Sequence, residues 1–211
     1  MKLPVVGKNF ATFMAKKIHS SLVFDMAKLE GTPFTYPEIQ TLLDGVAVGG
    51  HKLSDQEQVL RISGAWRFLI LLVENDRFEL SKKLAVVLNS RITTSKTLDI
   101  DSLEEEKLGS FFRQFASGTS AKCFPDTAFE VFLQLIAKEF FCVGNELTAQ
   151  LLMNGVLLKE GYLPVSIHVA RQLQYHEAMT CFQERGNMEK LKTVLNICAE
   201  EMVTPFVDEQ D

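Results

Sequence analysis

The residues with the clearest chemical potential lie between Glu139 and Asn154, where a short turn joins two apolar segments. The turn contains Gly144 and Asn145, and the apolar run that follows predicts a helix over residues 147 to 158. The first turn of a helix carries unpaired backbone N–H groups and the positive end of the helix dipole. A turn that leads into a helix in this way is a natural binding site for an anion such as phosphate.

The side chains around this turn oppose phosphate binding. Glu139 and Glu146 place two carboxylates beside it, and residues 139 to 158 contain no Lys or Arg. A carboxylate about 4 Å from a phosphate charge costs roughly 4 kcal/mol at an effective dielectric constant near 20. A helix dipole returns at most about 2 kcal/mol. Repulsion is therefore expected to outweigh the attraction of the backbone.

The same stretch resembles the signature of the Fic family, His-Pro-Phe-x-(Asp/Glu)-Gly-Asn-Gly-(Arg/Lys)-x-x-Arg, which is commonly followed by Leu-Leu-x-Asn. Phe141, Gly144, Asn145 and residues 151 to 154 match this pattern. The positions that carry chemistry in the family are occupied, in order, by Glu139 for the His, Phe140 for the Pro, Val143 for the metal-binding acid, Glu146 for the second Gly, Leu147 for the first Arg and Gln150 for the last Arg. The resemblance thus implies the remnant of an anion- and nucleotide-binding loop at Gly144, Asn145, Glu146, Leu147 and Gln150, with Glu139 at the catalytic position.

The resemblance also implies an ancestral reaction, the transfer of AMP from ATP and Mg²⁺ to a Ser, Thr or Tyr hydroxyl of a protein. In that reaction the His removes the hydroxyl proton, the acid holds the metal, and the arginines and loop amides neutralise phosphate charge. Here the side-chain base, the metal ligand and both cations are replaced. No cofactor and no metal is therefore expected, and ATP with Mg²⁺ would be used only if the ancestral activity survives.

A second resemblance concerns residues 26 to 31, Met-Ala-Lys-Leu-Glu-Gly, which are similar to the inhibitory motif (Ser/Thr)-x-x-x-Glu-(Gly/Asn) of Fic proteins. Glu30 and Gly31 match the motif, whereas Met26 replaces the hydroxyl residue. In the family the Glu pairs with the last Arg of the signature and blocks productive ATP binding. Because Gln150 replaces that Arg, the ion pair is not expected to form. The alternative interpretation of Glu30 is a solvated charge at the end of a helix.

Apolar spacing places these motifs on helices. One long inhibitory-type helix is predicted over about 8–30, with the following residues on one face: Phe10, Phe13, Met14, Ile18, Leu22, Met26 and Leu29. Capping boxes at residues 35–38 and 54–57 predict two further helix starts. The signature belongs to two core helices within residues 126–160, and the second of these is apolar nearly all round, which predicts burial on every side. Two C-terminal helices are predicted over residues 168–202.

Residues 109–119 have period-two character and are bounded by glycines, which predicts a short β-hairpin. In Fic proteins a hairpin called the flap lies at this point and holds a target segment by strand pairing. Its candidate contact residues here are Phe111, Phe112, Arg113 and Phe115. The alternative is that the aromatic side chains simply pack as a lid.

The composition fits an ordinary globular protein with a substantial core, since 46% of the 211 residues are hydrophobic and 23% are charged. The net charge of −5 gives no support for nucleic-acid binding. No apolar run is long enough to cross a bilayer, and no signal peptide is recognisable. Four widely spaced cysteines without a Cys-x-x-Cys pair indicate buried free thiols. We therefore expect one cytoplasmic domain over residues 1–211. The apolar spacing and the resemblance together imply that it is all-α, a Fic-like helical bundle around a buried central helix with a short β-hairpin flap.

Two functional hypotheses remain open. The first is a catalytically silent Fic-like domain that acts through protein–protein contacts, through the flap or as a partner of an active homologue. Homo-oligomerisation is left open, and neither nucleic acid nor a membrane is an expected partner. The second is an active transferase with altered chemistry in which Glu139 is the base, since a carboxylate can act as a general base. A raised pKa in an open pocket would favour the enzyme, and a salt-bridged surface position the binding protein.

Overall fold

The computed structural model describes residues 3–93, 102–117 and 125–207. These residues form ten α-helices and one 3₁₀ helix, with no strand among them. The helices are α1 Lys8–Lys17, α2 His19–Leu29, α3 Tyr36–Leu43, α4 Leu53–Glu74, α5 Lys82–Ile92, α6 Ser102–Ser117, α7 Asp126–Lys138, α8 Asn145–Lys159, the 3₁₀ helix Val169–Arg171, α9 Gln172–Arg185 and α10 Glu189–Val207. The all-α prediction is confirmed for the described ranges.

The central helix α8 lies in the middle of the fold, as its apolar sequence predicts. Every residue from 147 to 158 is buried. The helix packs mainly against α7 and also contacts α4, α5 and α1. Gly155 permits one close approach, because a Cβ at this position would lie 2.0 Å from the ring of Phe78. Close-packed neighbours therefore fix the helix that carries the signature. Any displacement of this helix would also displace the core side chains around it.

The N-terminal apolar pattern folds as two helices, and the prediction of one long helix over about 8–30 is wrong. The helices α1 and α2 are separated at Ile18. The helix α1 buries the small residues Ala11 and Ala15 together with Thr12 and Met14. Phe10 and Phe13, which the spacing assigns to the core face, are instead 42% and 57% exposed.

Local sequence signals set most of the helix ends. Gly31 follows α2 with a φ of 74°, the left-handed conformation that favours glycine and ends helices. The first capping box forms, since Thr35 N donates to Glu38 Oε2 at 2.7 Å. The second does not form as predicted. The helix α4 begins at Leu53, so Ser54 lies inside its first turn and is not the capping residue.

The predicted β-hairpin over residues 109–119 is not found. Residues 109–117 belong to α6, and residues 118–119 lie outside the described ranges. Phe111 and Phe112 are only 3% and 4% exposed. The Phe111 ring lies 4.9 Å from that of Phe115, one helical turn further on, and 5.6 Å from that of Phe140. The aromatic spacing therefore serves helical packing, and burial leaves Phe111 and Phe112 no surface for strand pairing.

The cysteines differ in how far they are exposed. Cys198 is buried, but Cys181 is half-buried and Cys142 is exposed. The expectation of buried thiols therefore fails for Cys142, because this residue lies in the turn that follows α7 and not on a core helix face. Cys123 lies outside the described ranges.

No described helix has the length and apolar character needed to span a membrane.

Candidate functional site

The loop between α7 and α8, residues 139–144, is the signature turn, and side chains on both flanks fasten it. Asn145, the first residue of α8, accepts a hydrogen bond on Oδ1 from Phe141 N at 2.9 Å, and its Nδ2 donates to Phe141 O. From α5, Asn89 Nδ2 donates to Val143 O at 2.8 Å. The backbone of the turn is thus held in one conformation by two amide side chains.

Gly144 is required in this turn for two reasons. Its φ is 75°, a conformation that residues with a Cβ rarely adopt. A Cβ here would also lie 2.8 Å from Thr93 Cγ2 and 3.1 Å from Asn89 Nδ2. Thr148 Oγ1 donates to Gly144 O at 2.7 Å and so secures the entry into α8. The residues that match the family pattern therefore have a clear structural role.

On the outer side of the turn, the described side chains do not form a catalytic group. Glu139 ends α7 with a φ of 45° and is exposed. Its carboxylate makes no hydrogen bond or ion pair with any described residue. Val143, at the position of the metal-binding acid, is 55% exposed and has no side-chain atom that can bind a metal. Glu139 thus lies at the surface without a salt bridge to any residue of the described ranges.

The inner side of the turn carries a shielded carboxyl. Glu146 lies in the first turn of α8 and is half-buried. Its Oε1 is closed off from solvent and has no hydrogen-bond partner among the described residues. Burial raises the pKa of Glu146 to about 7, the neighbouring Tyr175 hydroxyl opposes this rise, and the charge of Glu30 adds to it. The N-terminus of α8 is therefore occupied by a carboxyl that resists ionisation.

Glu30 reaches this same region from the end of α2. Its charge raises the pKa of both Glu146 and Tyr175. Gln58 Nε2 donates to Glu30 Oε2 at 3.4 Å, and partial burial raises the pKa of Glu30 although the residue is exposed at its outer surface. The charge of Glu30 therefore acts on the carboxyl at the start of the signature helix.

The two positions of the family's arginines are closed. Leu147 is 2% exposed and belongs to the hydrophobic core. Gln150 is 1% exposed, and its Nε2 has no hydrogen-bond partner among the described residues. Tyr175 is fully buried beside Glu146, and burial holds its pKa well above the ordinary value. An unpaired buried polar atom costs about 1–3 kcal/mol, so the Gln150 amide destabilises the fold.

Three residues of the site escape sequence reasoning. Asn89 is buried on the face of α5 that otherwise carries Leu88 and Ile92, and a polar residue at such a core position is a usable signal. Thr148 is a buried hydroxyl in an apolar helix, a signal of the same kind. Tyr175 gives no sequence signal, because only the packing of α9 brings it beside Glu146. Within the described ranges, no three acidic, His or Cys side chains form a group that could hold a metal ion.

Comparisons with known proteins identify the architecture. No protein-family model matches the chain, and no curated protein matches it. Among solved structures, Fic-1 from C. elegans superposes with a TM-score of 0.81 at 17% identity, covering 94% of this chain and 64% of that one. A second Fic-1 structure from C. elegans gives 0.76 at 16% identity, covering 93% and 66%.

A bacterial structure gives the same result. A Fic domain containing signaling protein from Bacteroides thetaiotaomicron superposes with a TM-score of 0.75 at 19% identity, covering 89% of this chain and 86% of that one. This chain spans less than two thirds of the length of the first C. elegans structure. The helical order, the central buried helix and these superpositions lead to one conclusion: the chain has the fold of Fic domain proteins.

Proposed function

We propose that this Fic-like protein does not transfer AMP and acts instead through contacts with another protein. The observation that carries the proposal is the Glu146 carboxyl at the N-terminus of α8, shielded from solvent and close to Glu30. In the reaction that the resemblance implies, phosphate charge would have to be neutralised at this helix N-terminus. A site with two carboxylates, and with no Lys or Arg at the positions of the family's arginines, is suited to exclude phosphate.

The interaction energies favour exclusion of phosphate from the site. Near neutral pH, Glu146 is ionised in about half of the molecules, because its pKa is about 7. An ionised carboxylate about 4 Å from a phosphate charge costs roughly 4 kcal/mol, against at most about 2 kcal/mol from the helix dipole. The family's two arginines would each contribute about 1.5–3 kcal/mol through charge-assisted hydrogen bonds. Leu147 and Gln150 supply neither charge.

The reaction also needs a metal ligand and a base. Val143 has no side-chain atom that could bind the metal in place of the acid. Its side chain is also too exposed to shield a metal site from solvent. Glu139 as the base remains the alternative, but a general base works in a fixed orientation, and no described side chain orients this carboxylate. The surroundings of Glu139 therefore favour the silent protein over the enzyme.

A labelled-ATP transfer assay tests the proposal. The purified protein is incubated with ATP and Mg²⁺, alone and in a lysate of its native cells, beside a Glu139→Gln variant as the matched control. We expect no protein label above background with either form. Label that appears with the wild type and disappears with Glu139→Gln would overturn the proposal and establish the alternative enzyme. Mass spectrometry of proteins recovered with the chain from the same cells then identifies its partner.

A further inference from the structure

A groove of about 480 Å³ opens on the surface between α1, the start of α2 and α4. It is lined by Lys16, His19, Arg67, Ile70, Leu71 and Glu74. None of these residues belongs to the signature turn or to α8, so the groove is separate from the site described above. Its volume falls in the range of about 300–1,000 Å³ that is typical of binding clefts.

Apolar side chains continue from the groove onto α1. Ile70 is buried at its base, whereas Leu71 is 56% exposed at its edge. Phe13 lies one helical turn before Lys16 on α1 and is 57% exposed. A large apolar side chain exposed at the edge of a groove suits a surface that is covered in a complex. The exposed edge suits a peptide segment better than a small molecule.

The charges around the groove are positive on balance. Lys16 Nζ lies 2.5 Å from Glu74 Oε1, so these two charges cancel. His19 Nε2 lies 3.3 Å from Ser63 O, and burial lowers the pKa of His19, which keeps its ring neutral near pH 7. Arg67 is exposed and has no ion pair or hydrogen bond with any described residue. An exposed cation that is unpaired within the described ranges, beside an apolar surface, is complementary to an acidic group of a ligand.

We propose that this groove binds an acidic peptide segment of a partner protein, with an apolar side chain of the segment against Leu71 and a carboxylate paired with Arg67. This inference rests on the proposed function, since it names the surface through which the chain would make its contact. The Lys16–Glu74 pair lines the groove and joins α1 to α4. The exposed Phe13 extends the contact along α1.

The test uses a displayed library of random 16-residue peptides, selected on the immobilised wild-type protein. The enriched peptides are then synthesised with a fluorescent label, and their affinity is measured by anisotropy. We expect enrichment of Asp or Glu next to Leu, Ile or Phe, and a loss of affinity as salt is raised, because exposed charges are screened. Arg67→Glu and Leu71→Ser should each weaken binding at least tenfold, and Arg67→Gln should weaken it less than Arg67→Glu.

Matched controls remove the same chemistry elsewhere. Lys83→Glu reverses an exposed charge on α5, and Leu173→Ser removes a side chain on α9 that is 71% exposed. Both controls should change affinity less than twofold, and circular dichroism should show the same helical content for all variants. The groove variants change two different positions, so if the variants at one position fail to fold, the variant at the other still decides the question.

Three outcomes overturn the proposal. They are the absence of enriched peptides, enriched peptides without acidic residues, and acidic peptides whose affinity the groove variants do not change. Self-association of the wild type that Arg67→Glu abolishes, measured by sedimentation, would also overturn it and assign the surface to a second copy of the chain. These results are independent of the labelled-ATP assay, so the groove can fail while the silent-protein proposal stands, and the reverse.

Discussion

Replacing Glu146 by Gln should stabilise the protein in a pH-dependent way. The pKa of Glu146 rises from 4.5 to about 7 on folding, a difference of about 2.5 pH units. Each unit corresponds to about 1.4 kcal/mol, so the folded state disfavours the ionised carboxyl by about 3 kcal/mol. A raised pKa means that the folded chain holds the proton more tightly than the unfolded chain. The associated stability is fully present below pH 4.5 and is lost as the pH rises through about 7.

The assay is urea unfolding of the wild type and of Glu146→Gln at a series of pH values from about 4.5 to 8.5. Gln keeps the shape of the side chain and a hydrogen-bond acceptor but cannot ionise. The difference in unfolding free energy between the two proteins cancels all other titrating groups to first order. We expect this difference to increase by about 3 kcal/mol in favour of the variant between the two ends of the range.

A difference that stays constant across this pH range would refute the reasoning, because it would mean that Glu146 ionises as easily in the folded chain as in the unfolded one. Glu30→Gln provides the control for the neighbouring charge. Since Glu30 adds to the rise of the Glu146 pKa, its neutralisation should move the transition to lower pH without abolishing it. A carboxyl titration followed by NMR gives the same pKa independently.

Three further variants test individual contacts, two at the signature turn and α8 and one at the His168–Asp25 pair. Leu147→Arg places a charge at a position that is 2% exposed, so we expect a loss of at least about 3 kcal/mol in urea unfolding, or no folded protein. Gly144→Ala imposes a φ of 75° on a residue whose Cβ meets Thr93 Cγ2 at 2.8 Å, and should cost about 1–3 kcal/mol by the same assay. His168 Nδ1 lies 2.8 Å from Asp25 Oδ2, and this partner raises the pKa of His168 above 6.5. The stability lost in His168→Gln should therefore be greatest below pH 6.5 and shrink as the pH rises through the folded pKa.

The fold is predictable from the sequence wherever packing follows local signals. The helix that is apolar on all sides is central and buried, Gly31 ends α2, and the Thr35–Glu38 box starts α3. Prediction fails where a spacing fits two structures. Phe111, Phe112 and Phe115 suit a strand and a helix equally, and burial against Phe140 decides for the helix.

The sequence predicts the residues of the site that match the motif, but it does not predict which other residues surround them. The motif indicates that Gly144 and Asn145 shape the turn, and their hydrogen bonds explain why. The effect of the Glu30 charge on Glu146 depends on the tertiary placement of the end of α2, which no local pattern encodes. Tyr175 enters the site from α9, so only tertiary structure shows that a buried hydroxyl modifies the Glu146 carboxyl.

The central claim, that the inner carboxylates exclude phosphate, is tested most directly by calorimetric titration of ATP and Mg²⁺ into the wild type and into Glu146→Gly at about pH 8. At this pH most of the Glu146 carboxyl is ionised, because its pKa is about 7. We predict no measurable binding to the wild type at millimolar nucleotide, and weak binding to Glu146→Gly once about 4 kcal/mol of repulsion is removed. Micromolar binding of ATP and Mg²⁺ by the wild type would contradict the account.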